Sequence, residues 1–167
     1  LMGLARGAEL HLRSGFDADR VLDDIEELQI AFMTAVPAMF RAMVEAAGRR
    51  DVSPSTESVV EMTYGASPIA PELVREIREL FPRTRLRQFY GMTEVAGALT
   101  SLHPADHHEA NSHHQSAGQV NPGFEIRLVD RDHCDVVDGE PGQILVRGAS
   151  VMHGYYRDPE ATADAFI

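Results

Sequence analysis

The sequence predicts an α/β fold, a parallel sheet with flanking helices followed by part of an antiparallel β-barrel-like subdomain. Three observations carry that expectation. Strand-like and helix-like patterns alternate from residue 8 to about residue 100, which implies right-handed crossovers onto a parallel sheet. Residues 30–36, Ile-Ala-Phe-Met-Thr-Ala-Val, form a nearly continuous apolar run, as a strand buried on both faces requires. Beyond residue 117 apolar and polar residues alternate, as in Phe124-Glu125-Ile126-Arg127-Leu128, which suits antiparallel structure.

The elements follow in order. Residues 8–12 read as a short first strand. Asp17 can cap a helix whose apolar positions Val21, Leu22, Ile25 and Leu28 share one face, with Asp19, Asp23, Asp24, Glu26 and Glu27 directed to water. After the 30–36 strand, Pro37 suits the first turn of a second helix, with Met39, Phe40, Met43 and Val44 apolar and Gly48 beyond its end. A third strand is expected at 59–63, then the turn Gly65-Ala66-Ser67-Pro68. A third helix starts at Pro71 and buries Leu73, Val74, Ile77 and Leu80 before Pro82 stops it. A fourth strand at 86–90 completes the series. Further strands are expected near 124–128 and 143–147, separated by a turn rich in Asp and Gly.

These patterns divide the chain into an α/β part (1–102), a polar His-rich loop (103–116) and a β-rich part (117–167). With 167 residues, 44% of them hydrophobic, the chain can bury a core of one domain, or of one domain and part of another. Both ends read as cut from something larger: the chain opens in an apolar stretch and closes inside the helical pattern beginning at Pro159. The formal net charge of -11 would repel a phosphate backbone, so nucleic acid is not expected as a partner. Cys134 is the only cysteine, and no apolar run approaches a transmembrane length. A soluble, cytoplasmic setting fits. The 15 basic residues are all Arg, so no lysine chemistry can come from these residues.

In an open parallel sheet, ligands collect beyond the carboxyl ends of the strands. Two segments are expected there, Gly65-Ala66-Ser67-Pro68 and Tyr90-Gly91-Met92-Thr93-Glu94. The second brings together an aromatic face, a Gly permitting close backbone approach, a hydroxyl suited to phosphate and a carboxylate suited to a hard cation. As chemistry alone, the same residues also fit a core aromatic and a solvated or helix-capping carboxylate. His103, His107, His108, His113 and His114 resemble a metal cluster in composition but lack any fixed ligand frame, and a solvated loop is expected.

Gln88-Phe89-Tyr90-Gly91-Met92-Thr93-Glu94 resembles the Tyr-Gly-x-Thr-Glu motif of the adenylate-forming (AMP-binding) superfamily, which includes acyl-CoA synthetases. Thr63-Tyr64-Gly65-Ala66-Ser67-Pro68-Ile69 resembles that family's adenine-binding loop. The Gly139-Glu140-Pro141-Gly142 block with Val151-Met152-His153-Gly154-Tyr155-Tyr156 resembles its later Gly-Glu-x-x-x-Gly-Tyr block, to which hairpin turns and barrel packing give a structural role.

The resemblance implies an internal fragment of a fatty-acid-CoA ligase that joins a carboxylic, fatty acid to CoA through acyl-AMP. ATP or AMP, Mg2+ and CoA are the implied cofactors, with the CoA site largely outside these residues. Tyr90 would stack on adenine, and Gly65, Ala66, Ser67 and Gln88 would shape its slot. Thr93 would bond the α-phosphate and Glu94 would hold magnesium, these two forming the implied catalytic pair. Gly91, Met92, Ala96, Gly97, Ala98 and residues 36–40 would border the acyl group. The family's lysine-bearing phosphate loop, ribose-binding Asp block and C-terminal domain have no match here, so the isolated chain is expected to be inactive. The alternatives are an adenylating domain that loads a carrier protein, and a non-catalytic nucleotide-binding module.

Overall fold

The computed structural model describes residues 2–108 and 111–167; Leu1, and Glu109 and Ala110 inside the expected 103–116 loop, lie outside the described residues. The elements run α1 (Met2–Ala5), α2 (Ala18–Leu28), β1 (Phe32–Ala35), α3 (Pro37–Gly48), β2 (Glu61–Gly65), α4 (Pro71–Leu80), β3 (Arg85–Met92), β4 (Gly97–Leu102), β5 (Gln119–Val120), β6 (Phe124–Val129), β7 (Gln143–Gly148) and α5 (Pro159–Ala165). Two short 3₁₀ turns, Thr93–Val95 and Pro104–His107, interrupt the later strands. The predicted α/β class is present. The contact pattern separates two units, residues 1–60 with 69–84, and residues 61–68 with 85–167.

The first unit is helical around β1. Asp17 caps α2 by accepting from the Arg20 backbone N–H, and Leu22 and Ile25 are buried on the face that the sequence pattern marks. Pro37 opens α3 and Pro71 opens α4, where a missing N–H costs nothing. Phe40, Met43 and Ala46 from α3 join Leu73 and Ile77 from α4 in the core. The 51–60 loop is tied down by Thr56, whose hydroxyl donates to the Leu80 carbonyl at 2.5 Å, and by the Thr84 hydroxyl, which donates to the Val59 carbonyl at 2.7 Å.

Residues 8–12 do not form the expected first strand. Leu12 is 86% exposed, and the Ala8 N–H turns back to the Gly3 carbonyl instead of entering a ladder. Arg13 fixes the following segment through a two-pronged ion pair with Asp24, at 2.6 and 2.8 Å. A few alternating residues with no partner strand cannot hold an extended conformation.

In the second unit the strand order is β2-β3-β4-β5. β2 and β3 pair in parallel, with Tyr64 opposite Gln88 and Gly65 opposite Phe89. β4, which the sequence pattern did not single out, pairs antiparallel with β3, and β5 pairs antiparallel with β4. β6 and β7 form the expected antiparallel pair, with Ile126 opposite Val146. Met62, Tyr64, Leu86, Val95, Leu99, Leu102 and Val129 are buried in this unit. Among the described residues, no helix is long and apolar enough to cross a membrane.

Candidate functional site

Gly65, Ala66, Ser67, Gln88, Tyr90, Gly91, Met92, Thr93 and Glu94 all fall in the second unit, whereas residues 36–40, expected to border the acyl group, belong to the first. Gly65, Ala66 and Ser67 leave the carboxyl end of β2, and the parallel register sets that end beside the carboxyl end of β3. Gly65 is required there: a methyl group on its Cα would overlap the Phe89 carbonyl oxygen. Ala66 follows with φ 68°, a left-handed conformation uncommon for a residue with a side chain. Such backbone recurs at ligand-holding turns.

β3 holds Gln88 and Tyr90 as expected but runs further, to Met92, so Gly91 and Met92 are strand residues and not a loop beyond the strand. The period-two alternation places Gln88 and Tyr90 on one face of β3, and the register with β2 places Tyr64 on that same face. A register shift lies between Tyr90 and Gly91, a bulge of the kind that re-aims side chains beside active sites. Gly91 has no room for a Cβ, which would strike the Gly97 carbonyl of β4. Tyr90 and Met92 are half-buried, while Ala66, Ser67 and Thr93 are exposed.

Thr93 and Glu94 occupy the 3₁₀ turn that follows, closed by Ala96 at φ 56°. The turn is held by the segment after β7. The Glu94 carbonyl accepts from the Met152 N–H at 2.7 Å, and the Val95 carbonyl accepts from the Ser150 hydroxyl at 3.0 Å. The Tyr155 hydroxyl donates to Glu94 Oε1 at 2.6 Å. That bond, with a backbone hydrogen bond within Glu94, holds the carboxyl below its ordinary value; Glu94 in turn raises the Tyr155 phenol. Tyr155 therefore touches the candidate site, although its block reads from sequence as hairpin and barrel packing. Its only signal was membership in the Gly-Tyr-Tyr run.

Glu94 and Thr93 together present hard oxygen donors on an accessible turn, a donor set that fits magnesium, which takes few protein ligands and keeps several waters. The histidine loop is built differently. His107 is buried against Tyr64, His103 Nδ1 lies 2.9 Å from Arg87 Nη1, and His114 Nδ1 lies 2.8 Å from the Asn111 carbonyl. Among the described residues, no three His, Cys, Asp or Glu side chains gather as a metal cage.

A family profile described as "AMP-binding enzyme" matches residues 1–156. The chain is 37% identical over 161 residues to an indoleacetate–CoA ligase of Aromatoleum aromaticum, covering 96% of this chain and 30% of that protein. It is 32% identical over 165 residues to 4-coumarate-CoA ligase 1 of Narcissus pseudonarcissus, covering 97% and 29%. Its fold matches the crystal structure of a long-chain-fatty-acid-CoA ligase of Archaeoglobus fulgidus with TM-score 0.85 at 23% identity, covering 96% of this chain and 33% of that one. The chain thus spans about a third of the length of the proteins it matches.

Proposed function

Because the chain belongs to the AMP-binding enzyme family, we propose that the full-length protein carrying it is an acid–CoA ligase that works through an acyl-adenylate. A substrate carboxylate oxygen attacks the α-phosphorus of ATP and expels pyrophosphate. The CoA thiol then attacks the acyl carbon and releases AMP. The observation that carries this reading is the single cluster formed by the Gly65-Ala66-Ser67 turn, the Gln88 and Tyr90 face of β3, and the Thr93–Val95 turn.

In that cluster the aromatic face of Tyr90 stacks on adenine and the Gln88 carboxamide meets the base edge. The turn of Gly65, Ala66 and Ser67 lines the slot with backbone. The Thr93 hydroxyl donates to an α-phosphate oxygen, and the Glu94 carboxylate, aimed by Tyr155, is the magnesium ligand. Magnesium at Glu94 supplies charge neutralisation where negative charge develops on the phosphates. Ala96, Gly97 and Ala98, small residues after the motif, border the acyl group.

The acid is an aryl or alkyl carboxylic acid. A fatty acid is one member of that class, and the curated relatives above are named for indoleacetate and coumarate. Catalysis belongs to the full-length protein, since these 167 residues supply the adenine wall and the magnesium carboxylate but no lysine to meet the phosphates. The test is product analysis with full-length protein, ATP, magnesium, CoA and a panel of aryl and alkyl acids. The reading expects AMP and an acyl-CoA thioester in equal amounts with at least one acid. Release of ADP, or transfer to a carrier protein but not to CoA, would replace it.

A further inference from the structure

β4 is irregular where it leaves the Thr93–Val95 turn. Tyr90 pairs with Thr100 but Gly91 pairs with Ala98, so Leu99 is an extra residue on β4 and the ladder with β3 is interrupted there. Left to itself such a stretch is weakly defined, since Gly97 has no side chain and Ala98 has a single methyl group to pack. The other edge of β4 supplies the definition. Asn121, just beyond β5, donates from its backbone N–H to the Leu99 carbonyl at 2.9 Å and from Nδ2 to the Ala98 carbonyl at 3.0 Å. Its Oδ1 accepts from the Ser101 hydroxyl at 2.7 Å.

These partners fix the carboxamide. A backbone carbonyl can only accept, so the group that meets Ala98 is NH2, and the oxygen then faces Ser101, which has a hydrogen to give. Ser101 is 5% exposed, so the bond also satisfies a buried hydroxyl. The segment that carries Asn121 is held in its turn. The Thr100 hydroxyl donates to the Ala117 carbonyl at 2.6 Å, and Gly118, at φ 90°, lies too close to the Ser101 backbone to carry a Cβ. Pro122 disfavours a helical backbone at Asn121. Asparagine is a poor strand former, and its bonds to three residues around the bulge give a reason for it to stand at this edge.

We propose that Asn121 is a positioning residue for the acid substrate, one that pins the bulge of β4 and so sets where Gly97 and Ala98 stand against the acyl group. Asn121 acts through the Ala98 carbonyl and not by touching substrate. This inference rests on the reading that Gly97 and Ala98 border the acyl group, and it adds the group that fixes the shape of that border. A pinned border discriminates between acids of different bulk. With the side-chain bonds cut, the Ala98 peptide shifts and bulkier acids gain relative to slim ones. The adenine end is spared, because Gln88 and Tyr90 pair with Leu102 and Thr100 in the regular part of the ladder.

The test compares kcat/KM for the preferred acid and for a bulkier, branched or ring-substituted homologue of it, in the full-length protein at saturating ATP and magnesium. Asn121→Leu, close in volume to the residue it replaces, should lower the ratio in favour of the preferred acid by about fivefold or more, the worth of roughly one hydrogen bond. The KM for ATP should stay within about twofold, since sites without shared partners couple little. Ser101→Ala keeps the donor to Ala98 and loosens the carboxamide, so it should lower the ratio by about twofold. It decides the matter if Asn121→Leu does not fold. A merely structural role would lower the melting temperature, and kcat for both acids together, while leaving the ratio alone; that result overturns the inference. Ala98→Val separates the two levels of the argument. If it shifts the ratio while Asn121→Leu and Ser101→Ala do not, the positioning role falls and the border reading stands. If it leaves the ratio unchanged, Ala98 does not border the acid and both fall.

Discussion

Tyr155 donates a 2.6 Å hydrogen bond to Glu94 across 61 residues of sequence. The bond joins the segment after β7 to the turn after β3 at the carboxylate proposed to hold magnesium. A hydrogen bond to an ionised partner is short and directional, and here it holds Glu94 in its charged form and fixes one of its two oxygens. Tyr155→Phe in the full-length protein should raise the magnesium concentration for half-maximal adenylation by about 3–10-fold, with a smaller loss at saturating magnesium. A magnesium titration of both proteins checks this. An unchanged midpoint would leave Tyr155 as a packing residue only.

Tyr90 lies on the same β3 face as Gln88, half-buried and flanked by a bulge. Stacking on a base is worth about 1–3 kcal/mol, so Tyr90→Ala should raise the KM for ATP by about tenfold and the KM for the acid much less. Initial rates with each substrate varied in turn provide the comparison. A rise confined to the acid would move Tyr90 into the acyl pocket.

Gly91 faces β4 too closely for any side chain, because a Cβ there would overlap the Gly97 carbonyl. Gly91→Ala should force β3 and β4 apart at the bulge and lower stability by about 2 kcal/mol or more, read as an earlier denaturation midpoint. Activity should fall with it, since Thr93 and Glu94 hang from the end of the same strand. A variant with unchanged stability would show that the bulge can relax.

Asp24 is 7% exposed and takes hydrogen bonds from Arg13, which with Arg20 hold its carboxyl below the ordinary value of 3.8. A depressed carboxyl contributes stability above its unfolded-state value and loses it as pH falls through the lower folded-state value. Asp24→Asn should therefore lower the melting temperature by a few degrees throughout pH 5–8, and the difference from wild type should shrink below pH 3.8. Melting curves at pH 7 and pH 3 test the sign. A gap that widened in acid would contradict it.

Local signals carried much of the fold. The Asp17 cap, the Pro37 and Pro71 helix starts and the spacing of Leu22 and Ile25 all act within one or two turns of chain, so they are visible in a single sequence. Residues 8–12 misled because alternation says nothing about whether a partner strand exists. β4, Gly-Ala-Leu-Thr-Ser-Leu, was hidden by its small and polar residues, since its strand state comes from the ladder with β3 and not from propensity. His107 belongs to a stretch whose composition reads as solvated loop, yet Tyr64 buries it. The Tyr155 to Glu94 bond could not be foreseen from either segment alone, because it depends on tertiary structure between residues far apart in the chain.

The most direct measurement is acid-dependent exchange of labelled pyrophosphate into ATP by the full-length protein, run beside Glu94→Gln at saturating magnesium. Adenylation with Glu94 as the magnesium ligand predicts exchange that requires a carboxylic acid and falls by about a hundredfold or more in Glu94→Gln, with the fold intact. Near-normal exchange by Glu94→Gln, or no exchange with any aryl or alkyl acid from a protein that still binds ATP, would contradict it.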